Sequence, residues 1–170
     1  WSTSPSTRCV RGTRAPSTRS SERPEVTDEL DWLTRYTPRE WIRAAIAELD
    51  QARAAYGRRN GRAGLAGCRR AAGCALNAML RTQGTPDPRY GRSFMEHLQA
   101  LAVDDTAPFV VREAAARFAQ AAMPGGGTVV VLRTPNADER ELEATQDVMA
   151  HGLVFVLRAE GAARGERSPD

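Results

Sequence analysis

Residues 37–82 read TPREWIRAAIAELDQARAAYGRRNGRAGLAGCRRAAGCALNAMLRT, and this stretch decides the fold. Thr37 precedes Pro38 and stands three residues before Glu40. A hydroxyl at the N-cap, a proline pre-set for the first helical position and an acid that can bond back to the cap together specify a helix start. Trp41, Ala45, Ile46, Leu49, Ala52 and Tyr56 then recur at helical spacing and predict one inward stripe. The run from Gly57 to Gly61 interrupts the pattern. A second helix is predicted from Arg62 to Arg81, with Leu65, Cys68, Ala72, Ala75, Leu76 and Met79 inward. Gly64, Gly67 and Gly73 each cost about 1 kcal/mol in a helix relative to alanine. Close approach of a neighbouring backbone is the expected return.

Working outward, Thr82 to Gly91 is rich in proline and glycine and predicts a loop. Ser93 and Glu96 form a second capping box, opening a short helix with Phe94, Leu98 and Leu101 inward. A turn over Val103 to Ala107 leads to a helix expected from Pro108 to Ala122, stopped by Pro124-Gly125-Gly126-Gly127. Residues 128–133 (TVVVLR) suit a lone extended segment, since no second strand pattern exists to pair with it. Asn136 and Glu139 make a third capping box, and the last helix is expected to end near Arg158. Leu142, Met149, Leu153, Val156 and Leu157 form its predicted inner side, with Val148, Val154 and Phe155 on the other. A terminal helix apolar on so much of its circumference is either central or part of a subunit interface.

These elements predict an all-α fold: an antiparallel up-down bundle of about five helices over residues 28–160. Residues 1–27 are Arg/Ser/Thr/Pro-rich and too poor in apolar side chains to offset the entropy of ordering, so a disordered tail is expected there. A second polar tail is expected over 161–170. The hydrophobic fraction of 41% is enough for a single core, with alanine carrying much of it because aromatics are only 6%. No apolar run approaches membrane-spanning length and no apolar region precedes a cleavage site, which predicts a cytoplasmic protein with no membrane partner. Cys9, Cys68 and Cys74 are odd in number and scattered, and Cys68 and Cys74 would point to different faces of one helix, so buried thiols are expected rather than disulfides. With two histidines and no Cys/His cluster, no metal site and no cofactor is predicted.

Charge is unevenly spread. Residues 1–24 hold five arginines against Glu22, a net +4, so the chain's +3 leaves −1 for everything after them. Inside that near-neutral remainder, no acidic residue occurs from Gln51 to Pro86, while Arg53, Arg58, Arg59, Arg62, Arg69, Arg70 and Arg81 do. A one-sign stretch of this kind points to a polyanion partner. The alternative is a solvated face paired with acids elsewhere, such as Asp104, Asp105 or Glu113.

The first helical pair also has the look of a tetratricopeptide hairpin, but that unit would recur near every 34 residues and it does not. The run Cys68-Arg-Arg-Ala-Ala-Gly-Cys-Ala-Leu-Asn-Ala-Met-Leu80, followed after a loop by Glu96-His97-Leu98-Gln99-Ala100-Leu101, resembles the HEPN family over roughly Glu40 to Leu157. The resemblance implies a helical bundle that pairs into homodimers, here through the last helix. It implies an RNA- or nucleotide-binding module, or a toxin–antitoxin component beside a nucleotidyltransferase partner, or a metal-independent RNase. The family's nuclease signature is an arginine followed after four to six residues by a histidine on a late helix. Arg92 to His97 has that spacing on an earlier helix, whereas Gln146-Asp147-Val148-Met149-Ala150-His151 has the placement with Gln146 in the arginine's position. Metal-free RNA cleavage needs a base for the ribose 2′-OH and a cation for the phosphorane, roles suited to histidine and arginine. Gln146 carries no charge, so the last helix alone offers an incomplete site. Ser93 and Glu96 are also accounted for by capping, and Asp147 with His151 by an i,i+4 pair. The expected function is therefore RNA or nucleotide binding, with the RNase and a protein–protein interaction module as alternatives.

Overall fold

Thr37 starts the first long helix by the mechanism its sequence implies. Its Oγ1 accepts from Glu40 N at 3.3 Å, and Glu40 Oε2 accepts from Thr37 N at 2.8 Å. In a computed structural model of the chain, residues 31–121 and 136–165 are described. Among them all regular structure is helical: α1 (Asp31–Thr34), α2 (Pro38–Gly57), α3 (Gly61–Thr82), a 3-10 turn (Pro88–Tyr90), α4 (Phe94–Ala102), α5 (Phe109–Gln120) and α6 (Ala137–Gly165). The all-α bundle is as expected, with the short α1 added. The segments 1–27 and 128–133, with the disorder and the extended structure expected of them, lie outside the described residues.

The capping box at Ser93 also forms, with Ser93 Oγ accepting from Glu96 N and Glu96 Oε2 accepting from Ser93 N. Asn60 caps α3 by accepting from Ala63 N at 3.1 Å. Pro108 is the N-cap of α5 rather than its first helical residue, and the helix stops at Gln120, two residues short of Ala122. The last helix begins at Ala137, beside the expected start, but the capping box expected of Asn136 and Glu139 is not formed: Asn136 sits at φ +64°, in the left-handed region asparagine tolerates best among non-glycine residues, rather than in the extended conformation of an N-cap. The larger correction is at the end of α6, which continues to Gly165, seven residues past Arg158 and through half of the expected C-terminal tail.

The centre of the bundle is α3. Every residue from Ala71 to Leu80 is buried, and the helix packs against α2, α4 and α6, with α5 closing over α4 and α6. Small residues make this possible. A Cβ at Gly67 would come within 2.9 Å of Ala52 Cβ on α2, and one at Gly73 would overlap the Phe94 ring on α4. The close backbone approach expected of the α3 glycines is realised at Gly67, whereas Gly64 and Gly73 make room for the Tyr56 and Phe94 rings, and Gly152 on α6 meets the Ala75 carbonyl. An apolar stripe broader than one face was the sign of a central helix, but it lies in α3 rather than α6.

Two side-chain directions differ from expectation. Ile46 is 48% exposed, because the α2 stripe turns through Leu49 and Ala52 to Ala55 and Tyr56 instead. On α6 the buried line is Ala144, Thr145, Val148, Gly152 and Val156, whereas Leu153 and Leu157 face outward. Gly152 lets that line seat against α3, and this fixes the rotation of the helix.

Candidate nucleic-acid interface and the two histidine segments

The arginine-rich stretch does not form one surface. Arg69 donates from Nε to the Phe118 carbonyl at 3.1 Å and from Nη2 to the Phe118 and Ala121 carbonyls, so it satisfies the open C-terminal end of α5. Arg70 pairs with Glu48 at 2.8 Å, and Arg53 pairs with Asp50 at 2.9 Å. These partners were not the acids anticipated from sequence. Asp105 instead pairs with Arg112, and Asp104 accepts from Tyr90 and Thr106. Arg81 lies at the far end of α3, about 28 Å along the helix from Arg62. Three cations remain together: Arg58, Arg59 and Arg62, all exposed, at the turn joining α2 to α3.

This turn has two further properties. The first turn of α3 contains no acid, so the partial positive charge of its N-terminus adds to the arginines. Arg59 takes φ +58°, a left-handed conformation that glycine would adopt at lower cost. The N-terminal part of α6 bounds this end of the bundle, since Asp138 and Glu141 act electrostatically on the Tyr56 hydroxyl at the close of α2.

The Arg92 to His97 segment is split by the fold. Arg92 is exposed at the surface, and its backbone N–H donates to Glu96 Oε2 at 2.9 Å. His97 is fully buried. Its Nδ1 lies 2.6 Å from the Tyr90 carbonyl and its Nε2 lies 2.8 Å from the Asn77 carboxamide, while Trp32 stacks on the ring at 5.7 Å. Burial holds its pKa below the usual histidine value, against the opposing pull of the Tyr90 carbonyl and Glu96. A neutral ring donates from one nitrogen only, and the carbonyl claims Nδ1–H. Nε2 therefore needs a donor. Asn77 Nδ2 is buried with no partner when Oδ1 faces the ring, and a half-turn of the carboxamide lets Nδ2 donate to Nε2. His97 is thus a strut between α3, the 3-10 turn and α4. It has no path to a substrate hydroxyl, and the role of general base does not fit it.

The polar chain continues where sequence reasoning did not look. Tyr90 Oη donates to Asp104 Oδ2 at 2.9 Å, and Asp104 Oδ1 accepts from Thr106 N and Oγ1. Partial burial works against the charged form of Asp104, but these hydrogen bonds outweigh it and hold the carboxyl below its ordinary range. The available sequence signal was Asn77, the one polar residue in an otherwise apolar run from Ala71 to Leu80.

His151 is half-buried and packs edge-on against Phe155 with ring centroids 5.1 Å apart. Burial lowers its pKa, Asp104 opposes that shift and Arg158 reinforces it. The expected i,i+4 pair with Asp147 is not formed. The cation felt by His151 is Arg158, two helical turns on, and Gln146 is exposed on a different side of α6. Cys68 and Cys74 are buried free thiols as expected, with burial pushing Cys74 up to about 11. Among the described residues no cluster could hold a metal ion, and no helix is long and apolar enough to cross a membrane. No protein-family model matches the chain, and neither does any curated protein or solved structure.

Proposed function

We propose that the protein binds RNA or a nucleotide through Arg58, Arg59 and Arg62. The observation that carries this reading is that these three arginines, unlike Arg53, Arg69 and Arg70, have no acidic or carbonyl partner among the described residues and share one turn at a helix N-terminus. Guanidinium groups suit phosphate oxygens because they donate in a planar fork. The backbone of Arg59 adds support, because a left-handed residue here costs stability that glycine would recover. Anisotropy titration of a single-stranded RNA at low salt tests the proposal. Arg58→Glu with Arg59→Glu and Arg62→Glu should weaken binding by well over tenfold and reduce the salt slope by about 2. Arg81→Glu should change it less than twofold. Arg59→Gly should weaken binding while leaving stability equal or higher by about 0.5 kcal/mol. Absence of binding at low salt, or binding indifferent to the triple substitution, ends this reading.

A metal-independent RNase is the second reading, and His151 is the histidine that suits it. It is partly accessible, its lowered pKa keeps it neutral near pH 7, and Arg158 lies on the same side of α6. Cleavage of RNA in EDTA that disappears in His151→Ala and in Arg158→Ala would favour it over simple binding.

A further inference from the structure

At the N-terminal end of α2 a second group of exposed arginines surrounds an aromatic ring. Tyr36, in the link between α1 and α2, is 42% exposed and packs edge-to-face with Trp41, ring centroids 4.9 Å apart. Trp41 is itself fixed, because its ring is buried and its Nε1 donates to the Leu33 carbonyl at 3.2 Å. A surface tyrosine is thus braced on a buried support, and little side-chain freedom is left to lose when a flat ligand covers it. Arg35 and Arg43 flank it, both exposed and neither ion-paired among the described residues, whereas Arg39 is taken up by Glu160. The helix end itself offers nothing to an anion, because Glu40 already fills the cap.

Between this end and the Arg58–Arg62 turn runs the outer side of α2, which is 20 residues or about 30 Å long. Arg43, Ala47, Asp50, Ala54 and Gly57 are all exposed there. At 3.6 residues per turn they fall within a band about 80° wide, opposite the buried line through Ala45, Leu49 and Ala52. Asp50, the acid in this band, is engaged by Arg53. Small side chains at Ala47, Ala54 and Gly57 keep the band low between its two basic ends.

Resting on the reading of the Arg58–Arg62 turn as an RNA site, we propose that the ligand is a single strand lying along α2, with one base stacked on Tyr36. Its phosphates meet Arg58, Arg59 and Arg62 at one end and Arg43 and Arg35 at the other. Arginines that track a backbone, together with an exposed ring that accepts any base, hold single strands without reading their sequence. A mononucleotide cannot touch both ends of the helix, whereas a strand of several nucleotides can. A duplex keeps its bases stacked on one another and offers no open face to the tyrosine. The single strand is therefore the form of RNA that uses both ends of α2.

Anisotropy titrations of the full chain with an oligouridine of about twelve nucleotides, and with an abasic ribose-phosphate strand of the same length, test the proposal. Far-UV circular dichroism checks folding. Tyr36→Ala should weaken binding of the oligouridine at least fivefold and leave binding of the abasic strand unchanged. Tyr36→Phe should behave as the wild type, because stacking uses the ring and not the hydroxyl. Arg35→Glu with Arg43→Glu should lower the salt slope by about 2 on both probes. If Tyr36→Ala loses helix, Tyr36→Leu replaces it, keeping an apolar side chain against Trp41. Oligouridine binding that the Arg58, Arg59 and Arg62 substitutions abolish but Tyr36→Ala leaves intact overturns this proposal and spares the reading of the turn. An equal loss on the abasic strand overturns stacking as the cause. No binding of the oligouridine by the wild type at low salt ends both readings together.

Discussion

His97 on α4 and His151 on α6 each end a six-residue segment with the same spacing, Arg92 to His97 and Gln146 to His151, yet the two regions are built for different purposes. Around His97 every direction is closed: Tyr90 and Asn77 engage the ring nitrogens, and Trp32 and Phe94 cover the ring. Around His151 one face packs on Phe155 and the rest is partly open. Burial and partners assign a histidine its role, and sequence spacing does not report either. The segment with the better motif contains the structural histidine, and the segment with the defective motif contains the accessible one.

Breaking the His97 region should have the largest effect. His97→Ala leaves the Tyr90 carbonyl and the Asn77 carboxamide without partners and opens a void beneath Trp32. The combined cost is about 3 kcal/mol or more. Urea denaturation should show a large fall in midpoint with helicity retained at low denaturant. In contrast, His151→Ala should cost under about 1 kcal/mol, as expected of a half-exposed residue without hydrogen bonds. If the two substitutions cost the same, the distinction between strut and surface histidine is wrong.

Next in size is the residue after His151. Gly152 brings α6 against the Ala75 carbonyl of α3, and a methyl group there meets backbone that cannot turn aside. Gly152→Ala should therefore cost about 2 kcal/mol, despite alanine's better helix propensity of about 1 kcal/mol. An increase in stability would mean that α6 can slide on α3. The same experiment sharpens the comparison, because it shows whether the α6 region is fixed by its backbone contact while the α4 region is fixed by polar side chains.

These two regions also show what was legible beforehand. Capping boxes at Thr37 and Ser93 were readable because their chemistry is local, spanning three residues each. The α3 stripe from Leu65 to Met79 was equally plain, since its apolar period is unbroken. The outward direction of Ile46, Leu153 and Leu157 was not, because helix rotation is set by where small residues let two backbones meet, and Gly152 was not recognised as such a contact. The division of the arginines was hidden for a related reason. Arg69 spends its charge on carbonyls 49 and 52 residues away, a pairing that no local pattern encodes. Arg58, Arg59 and Arg62 are the members of that stretch that stay together and exposed at one turn.

The smallest effect that separates the histidines is in pH. Burial lowers both pKa values, so between the folded value and the ordinary 6.5 the unfolded chain binds more protons than the folded one. Stability is then fully present above about pH 6.5 and declines as pH falls through the folded values. The carboxyls of Glu40, Glu96 and Asp104 are held below their usual values, so their contributions are lost only at more acid pH, which leaves the window from about pH 7 to about pH 5 to the histidines. Urea midpoints measured across that window should fall for the wild type. His97→Gln should flatten the decline most, because its ring is fully enclosed, and His151→Gln should flatten it little, because solvent screens a half-exposed ring. Equal flattening by the two substitutions would show that protons reach His97 without unfolding, and that the α4 region opens in the native state.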